Sequence, residues 1–117
     1  MKITAAVVYQ RSGPFTVEEI DLCDPRDDEL LVEVVASGMC ATDLHGREAY
    51  YKTRFPKVFG HEGAGIVRAT GKAVTKFMTG DHVVMSYPWC GECANCRTQR
   101  QTYCTEAFPL KMNGTRA

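Results

Sequence analysis

At 117 residues the chain has room for one domain with a modest core, and its 44% hydrophobic, 24% charged make-up is that of a soluble globular protein. Fourteen Lys and Arg balance fourteen Asp and Glu, so no basic excess directs it to nucleic acid or an anionic membrane. The opening residues 1–9 are too short and alternating for a signal peptide, no run is long enough to span a bilayer, and six cysteines without a secretory leader point to a reducing compartment, the cytoplasm.

In chain order, residues 2–9 alternate loosely as a strand, and Arg11-Ser12-Gly13-Pro14 is a turn. Residues 15–21 alternate imperfectly through Phe15, Val17 and Ile20, and the charged run 24–29 reads as a solvated loop. A β-branched run at 30–36, closed by Ser37-Gly38, predicts a strand buried on both faces. A short helical turn is expected over 44–48 with Thr42 or Asp43 as its N-cap. Two more strands are expected at 63–70 and 82–87, the second after the turn Thr79-Gly80-Asp81 and carrying His82 on its solvent face, and a second helical turn near 95–101. Short strands joined by Gly and Pro turns indicate a mainly β barrel or sandwich with little helix.

The strongest chemical signal is Cys90-Gly91-Glu92-Cys93-Ala94-Asn95-Cys96 followed by Cys104, with steps of three, three and eight positions. A structural zinc takes four such thiolates in a closed tetrahedron, and two-residue gaps let the backbone curl around the ion. Small or polar residues between the cysteines suit tight turns and N–H groups pointing at sulfur. The rivals are a disulfide framework, which close gaps serve poorly, and an iron–sulfur site, whose spacing differs. The site forms a lobe over about residues 89–106.

Three further clusters carry reactive groups. Gly38-Met39-Cys40-Ala41-Thr42-Asp43-Leu44-His45 puts a thiol, a hydroxyl and an imidazole at a helix mouth. Gly60-His61-Glu62-Gly63-Ala64-Gly65 places His61 and Glu62 between glycines at a strand start, and Gly80-Asp81-His82 opens another strand. Singly, Cys40 reads as a small buried hydrophobe, His61 as a hydrogen-bonded histidine, and Gly80-Asp81 as a turn. Cys23 stands outside all of these as a free thiol.

Together these clusters resemble the medium-chain zinc-dependent alcohol dehydrogenases. The Gly60–Gly65 run with Gly71 and Val74 is similar to their zinc signature, the segment Cys40 to His45 to their catalytic-cysteine segment, and Cys90, Cys93, Cys96 and Cys104 to their structural zinc lobe. The run from Asp81 to Pro88, Leu44-His45-Gly46-Arg47 and the terminal stretch 110–116 look closest to aryl- or benzyl-alcohol dehydrogenases. The resemblance implies a GroES-like, partly open β-barrel as the N-terminal catalytic domain of a two-domain, NAD- or NADP-dependent enzyme that oxidises a primary, aromatic alcohol to its aldehyde. It implies Cys40 and His61 as catalytic-zinc ligands, with Glu62 able to approach the metal and Asp43 orienting His61. It also implies that Thr42 contacts the alcohol oxygen, that His45 ends a proton relay, and that the full-length form is a homo-oligomer acting on a small-molecule alcohol or aldehyde.

Two departures accompany the resemblance. Ala41 stands where an Arg or His often contacts cofactor phosphate. No Gly-x-Gly-x-x-Gly opens a βα unit, since Gly63-Ala64-Gly65-Ile66-Val67-Arg68 lacks the third glycine. The expectation is therefore an N-terminal domain over 1–117 without its Rossmann partner or third cysteine ligand, and inactive alone. The alternatives are a stand-alone zinc-stabilised GroES-like binding or assembly module, and a structural zinc domain in which Cys40 and His61 are core residues.

Overall fold

In the computed structural model, residues 1–50 and 53–107 are described. The terminal stretch 110–116 that contributed to the sequence resemblance lies outside them.

The Ile and Val content of the first segment gives β1 (Lys2–Val8), which pairs antiparallel with β2 (Thr16–Asp21) from Lys2↔Asp21 to Val7↔Thr16. The loop between them turns on Ser12 (φ 57°), and Gly13 N–H donates to the Gln10 carbonyl at 3.0 Å. The sheet is completed by a two-residue strand, β4 (Lys57–Val58), on the other side of β1. A second three-stranded sheet has β5 (Gly63–Thr70) between β3 (Leu30–Ser37) and β6 (His82–Val84), all antiparallel. The helical elements given in full by the described residues are short: α1 (Ala41–Arg47), α2 (Ala94–Arg97) and a 3₁₀ turn over Gln101–Tyr103. The architecture is mainly β, as the turn-punctuated sequence predicts, and its two separate sheets make the partly open arrangement that the resemblance implies. Among the described residues no helix is long and apolar enough to cross a membrane.

Val7, Val8 and Val67 are the deeply buried aliphatics, with Val8 and Val67 at 0% exposure. Each contributes about 1.5–3 kcal/mol by leaving water. The charged loop at 24–29 is pinned rather than loose: Gly71 N–H donates to the Glu29 carbonyl and Ala73 N–H to that of Asp27, both at 2.8 Å.

Three expectations need correction. β3 is not buried on both faces, because Val34 and Val35 are 54% and 63% exposed. The register jumps between Val34 and Ala36, so consecutive valines lose the alternation that would put one of them inside. α1 begins at Ala41 with Cys40 as its N-cap, two residues ahead of the expected Thr42 and three ahead of Asp43. Asp43 instead occupies the third helical position, where its carboxylate reaches back to accept from the Cys40 N–H at 3.2 Å. β6 stops at Val84 rather than 87, and the chain continues extended toward Cys90. His82 is exposed as expected, and Cys23 is a free thiol as expected and lies exposed.

Candidate metal centres

The four-cysteine run folds into a compact lobe through backbone geometry that the short gaps permit. Gly91 takes φ 78°, a left-handed conformation that glycine adopts without steric cost, and this turns the chain immediately after Cys90. Cys93 N–H then donates to Cys90 Sγ at 3.3 Å, and Cys90 N–H donates to Cys104 Sγ at 3.3 Å. α2 carries Cys96 inward, and the 3₁₀ turn returns Cys104 from the opposite side; both are buried. The side-chain amide of Asn95 donates to the Tyr103 carbonyl at 2.6 Å and ties the two helical pieces together.

One sulfur from each of Cys90, Cys93, Cys96 and Cys104 lies within 4.8 Å of the others, and all four are free thiols. Their acidities diverge. Backbone N–H groups of Cys96 and Thr105 hold the Cys93 thiol down at about 6, and the Cys90 N–H lowers that of Cys104. Burial pushes Cys96 up to about 12. Four soft donors in a closed cluster, with N–H groups already aimed at sulfur, are the donor set for a tetrahedral divalent ion such as zinc.

The second cluster draws on two distant segments. Cys40, at the mouth of α1, and His61 with Glu62, just ahead of β5, place one ligand-type atom each within 4.8 Å of one another. Gly60 enters this segment at φ 120°, a conformation that side-chain-bearing residues rarely adopt. The Glu62 carbonyl accepts from Gly38 N–H at 2.8 Å, and a Cβ on Gly38 would stand 2.2 Å from Glu62 Oε2, so a side chain there would displace that carboxylate from its present position. The helix and the loop are further keyed by Gly46, whose missing side chain accommodates the Phe59 ring.

Asp43 links the two halves. One carboxylate oxygen accepts from the Cys40 N–H, and the other lies 3.1 Å from His61 Nδ1. With Nδ1 so engaged, the acceptor-capable nitrogen is Nε2, which is buried, without a hydrogen-bond partner, and 3.8 Å from Glu62 Oε1. An orphaned ring nitrogen beside a thiol and a carboxylate fits a divalent cation better than any protein partner present. Thr42 Oγ1 is 3.3 Å from Cys40 Sγ. His45, on the same helix face one turn on, is exposed, and its ring meets the Tyr50 ring edge to face at 5.5 Å.

The structure thus brings Cys40, His61, Glu62, Asp43 and Thr42 together, and leaves His45 at the outer end of α1. Tyr87 joins them unforeseen: its ring stacks on His61 with centroids 5.5 Å apart and planes inclined by 23°. A cavity of about 420 Å³ beside His61 is lined by Val34, Phe59, Met85, Tyr87 and Pro88 among others. In the sequence Tyr87 is the last residue of the expected strand 82–87 and belongs to the Asp81–Pro88 run that carries the aryl- or benzyl-alcohol dehydrogenase resemblance, and neither reading marks it as a site residue.

Comparison with known proteins follows the same lines. The alcohol dehydrogenase GroES-like domain matches residues 26–116. The chain is 46% identical over 105 residues to the NDMA-dependent alcohol dehydrogenase of Amycolatopsis methanolica, covering 89% of this chain and 28% of that protein. It is 39% identical over 110 residues to the geraniol dehydrogenase of Castellaniella defragrans, covering 94% of this chain and 29% of the relative. Among solved structures, the benzyl alcohol dehydrogenase of Acinetobacter calcoaceticus superposes with a TM-score of 0.94 at 43% identity, over 98% of this chain and 32% of its own. An alcohol dehydrogenase zinc-binding domain protein from Burkholderia ambifaria gives a TM-score of 0.94 at 45% identity, over 100% of this chain and 32% of that one. The chain therefore spans about 28% of the length of the first of these relatives.

Proposed function

This chain belongs to the family of alcohol dehydrogenase GroES-like domains, and from that premise we propose that it is the metal- and proton-handling part of a zinc-dependent alcohol dehydrogenase. The substrate is a primary, aromatic alcohol and the product its aldehyde. NAD or NADP is held by a dinucleotide domain elsewhere in a longer protein, as the length of the relatives favours. The observation that carries this reading is the buried, unpartnered His61 Nε2 facing a thiol and a carboxylate.

Cys40, His61 and Glu62 would hold a catalytic zinc, and Cys90, Cys93, Cys96 and Cys104 a structural one. When bound, the catalytic ion supplies Lewis acidity toward the alcohol oxygen, and the nicotinamide accepts hydride. The chain's own residues do the rest. Asp43 holds His61 with Nδ1 occupied, which leaves Nε2 as the nitrogen that faces the cluster. The Thr42 hydroxyl, 3.3 Å from Cys40 Sγ, takes the alcohol proton in this reading and passes it along the helix face toward His45 and solvent. Val34, Met85, Tyr87 and Pro88 offer an apolar wall to a flat ring, which favours an aromatic substituent over a polar one.

The test is a steady-state assay with benzyl alcohol and NAD. The 117-residue chain is expected to show no turnover, because nothing among its described residues positions the nicotinamide against the carbinol carbon, and positioning is worth several powers of ten in rate, roughly 10⁵ or more. A chain extended to the length of its relatives is expected to oxidise the alcohol. In that enzyme Thr42→Ala should lower kcat strongly and His45→Ala less, since buffer can replace an exposed relay group. Turnover by the short chain alone would contradict the division of labour.

A further inference from the structure

His61 is restrained from two directions, and only one of them is a hydrogen bond. The contact between Nδ1 and Asp43 Oδ1 at 3.1 Å fixes one corner of the ring. It leaves the imidazole free to rock about the line joining those two atoms. The Tyr87 ring lies against the imidazole face at 5.5 Å and 23°, and a stacked neighbour opposes that rocking. Nε2 is the atom whose position the two restraints fix together, and it is the atom left without a hydrogen-bond partner.

We propose that Tyr87 is a positioning residue for the Cys40–His61–Glu62 centre, its aromatic ring holding the His61 plane so that Nε2 stays in reach of the ion shared with Cys40 and Glu62. The inference rests on reading those three residues as a metal centre. Tyr87 is 52% exposed, so the ring is not placed there to fill a core. It sits past the end of β6, three residues before Cys90, on a stretch anchored by the strand on one side and by the cysteine lobe on the other. Such a stretch can hold a ring at a fixed height over its neighbour. A cation drawing electron density from the imidazole makes the stack on an electron-rich phenol more favourable, so the contact tightens as the metal binds.

The experiment is a Co²⁺ titration of the 117-residue protein with zinc retained in the four-cysteine lobe, followed by the visible d–d absorption of the second site. Tyr87→Leu is expected to weaken cobalt binding about threefold to tenfold, the range a stacked ring contact spans, and to shift the d–d band as the coordination geometry loosens. Tyr87→Phe is expected to bind as the wild type does, because the ring and not the hydroxyl carries the restraint. Lobe zinc should be unchanged in both variants, which shows that each has folded. Wild-type affinity and spectrum in Tyr87→Leu would overturn this role while leaving the metal centre standing. Weak binding by Tyr87→Phe as well would overturn the ring-stacking account. No cobalt uptake at this site by the wild type would bring down the metal-centre reading and this inference with it.

Discussion

The four-cysteine lobe draws its donors from fifteen consecutive residues, whereas the Cys40–His61–Glu62 cluster joins two segments twenty-one positions apart. The lobe is closed: four soft sulfurs, two of them buried, with backbone N–H groups supplying the second layer of contacts. The other cluster is open: it has three donors of three kinds, one of them on the exposed Glu62, and borrows its rigidity from Asp43, Gly38 and Tyr87. A local, saturated site makes structure, and a long-range, unsaturated one keeps a position for a reactant. The difference lies in where the chain spends its constraints. The lobe orders itself, while the open site depends on how α1 seats against the segment leading into β5.

The sharpest way to break this comparison is to remove a lobe donor. Cys96→Ser should release the lobe ion and melt α2 and the 3₁₀ turn, since structural zinc supplies folding free energy on the order of 10 kcal/mol in small zinc peptides. Circular dichroism with and without chelator would show it, and the two sheets should survive. Cys40→Ala is the matching change at the open site. It should abolish the second metal equivalent with no loss of lobe zinc, and melting curves taken without metal at the open site should match those of the wild type, as read by metal analysis and thermal denaturation.

Asp43→Asn tests the dependence on supporting contacts. Metal affinity at the open site should fall about 10- to 100-fold, the usual effect of losing a carboxylate that orients a histidine ligand, with the lobe again untouched. The smallest effect belongs to the seating of the helix. A Cβ on Gly46 would stand 2.5 Å from Phe59 Cε1, so Gly46→Ala must push the ring that precedes Gly60 and His61. Overpacking of this kind costs about 1–3 kcal/mol. Urea denaturation should register it, together with weaker metal binding at the open site alone.

What the sequence revealed follows the same division. The lobe was legible because its geometry is local: the cysteine gaps dictate the turns, and the N–H groups expected at sulfur are there at 3.3 Å. β5 was legible to its ends, residues 63 to 70, because it opens at Gly63, stops just before Gly71 and has the Ile66-Val67 pair at its centre. β4 escaped notice, since two residues carry no periodicity and Lys57–Val58 is a strand only because β1 pairs with it. The true start of α1 was hidden because Asp43 looks like a cap and instead acts from inside the helix on Cys40. The exposure of Val34 and Val35 was hidden by a register slip that no single-strand pattern reports. At the open site, residue types pointed to Cys40, His61, Glu62 and Asp43 only through family resemblance. The contacts of Tyr87 with His61 and of Gly38 with Glu62 came into view only once the distant segments were placed side by side.

The most direct test of two unlike metal centres in one small domain is zinc counting by native mass spectrometry, before and after mild chelation. The account predicts two ions at saturation, one of them resisting the chelator and a weaker one lost to it, with the weaker one absent from Cys40→Ala. A protein that retains no zinc and carries disulfides among Cys90, Cys93, Cys96 and Cys104 would contradict it.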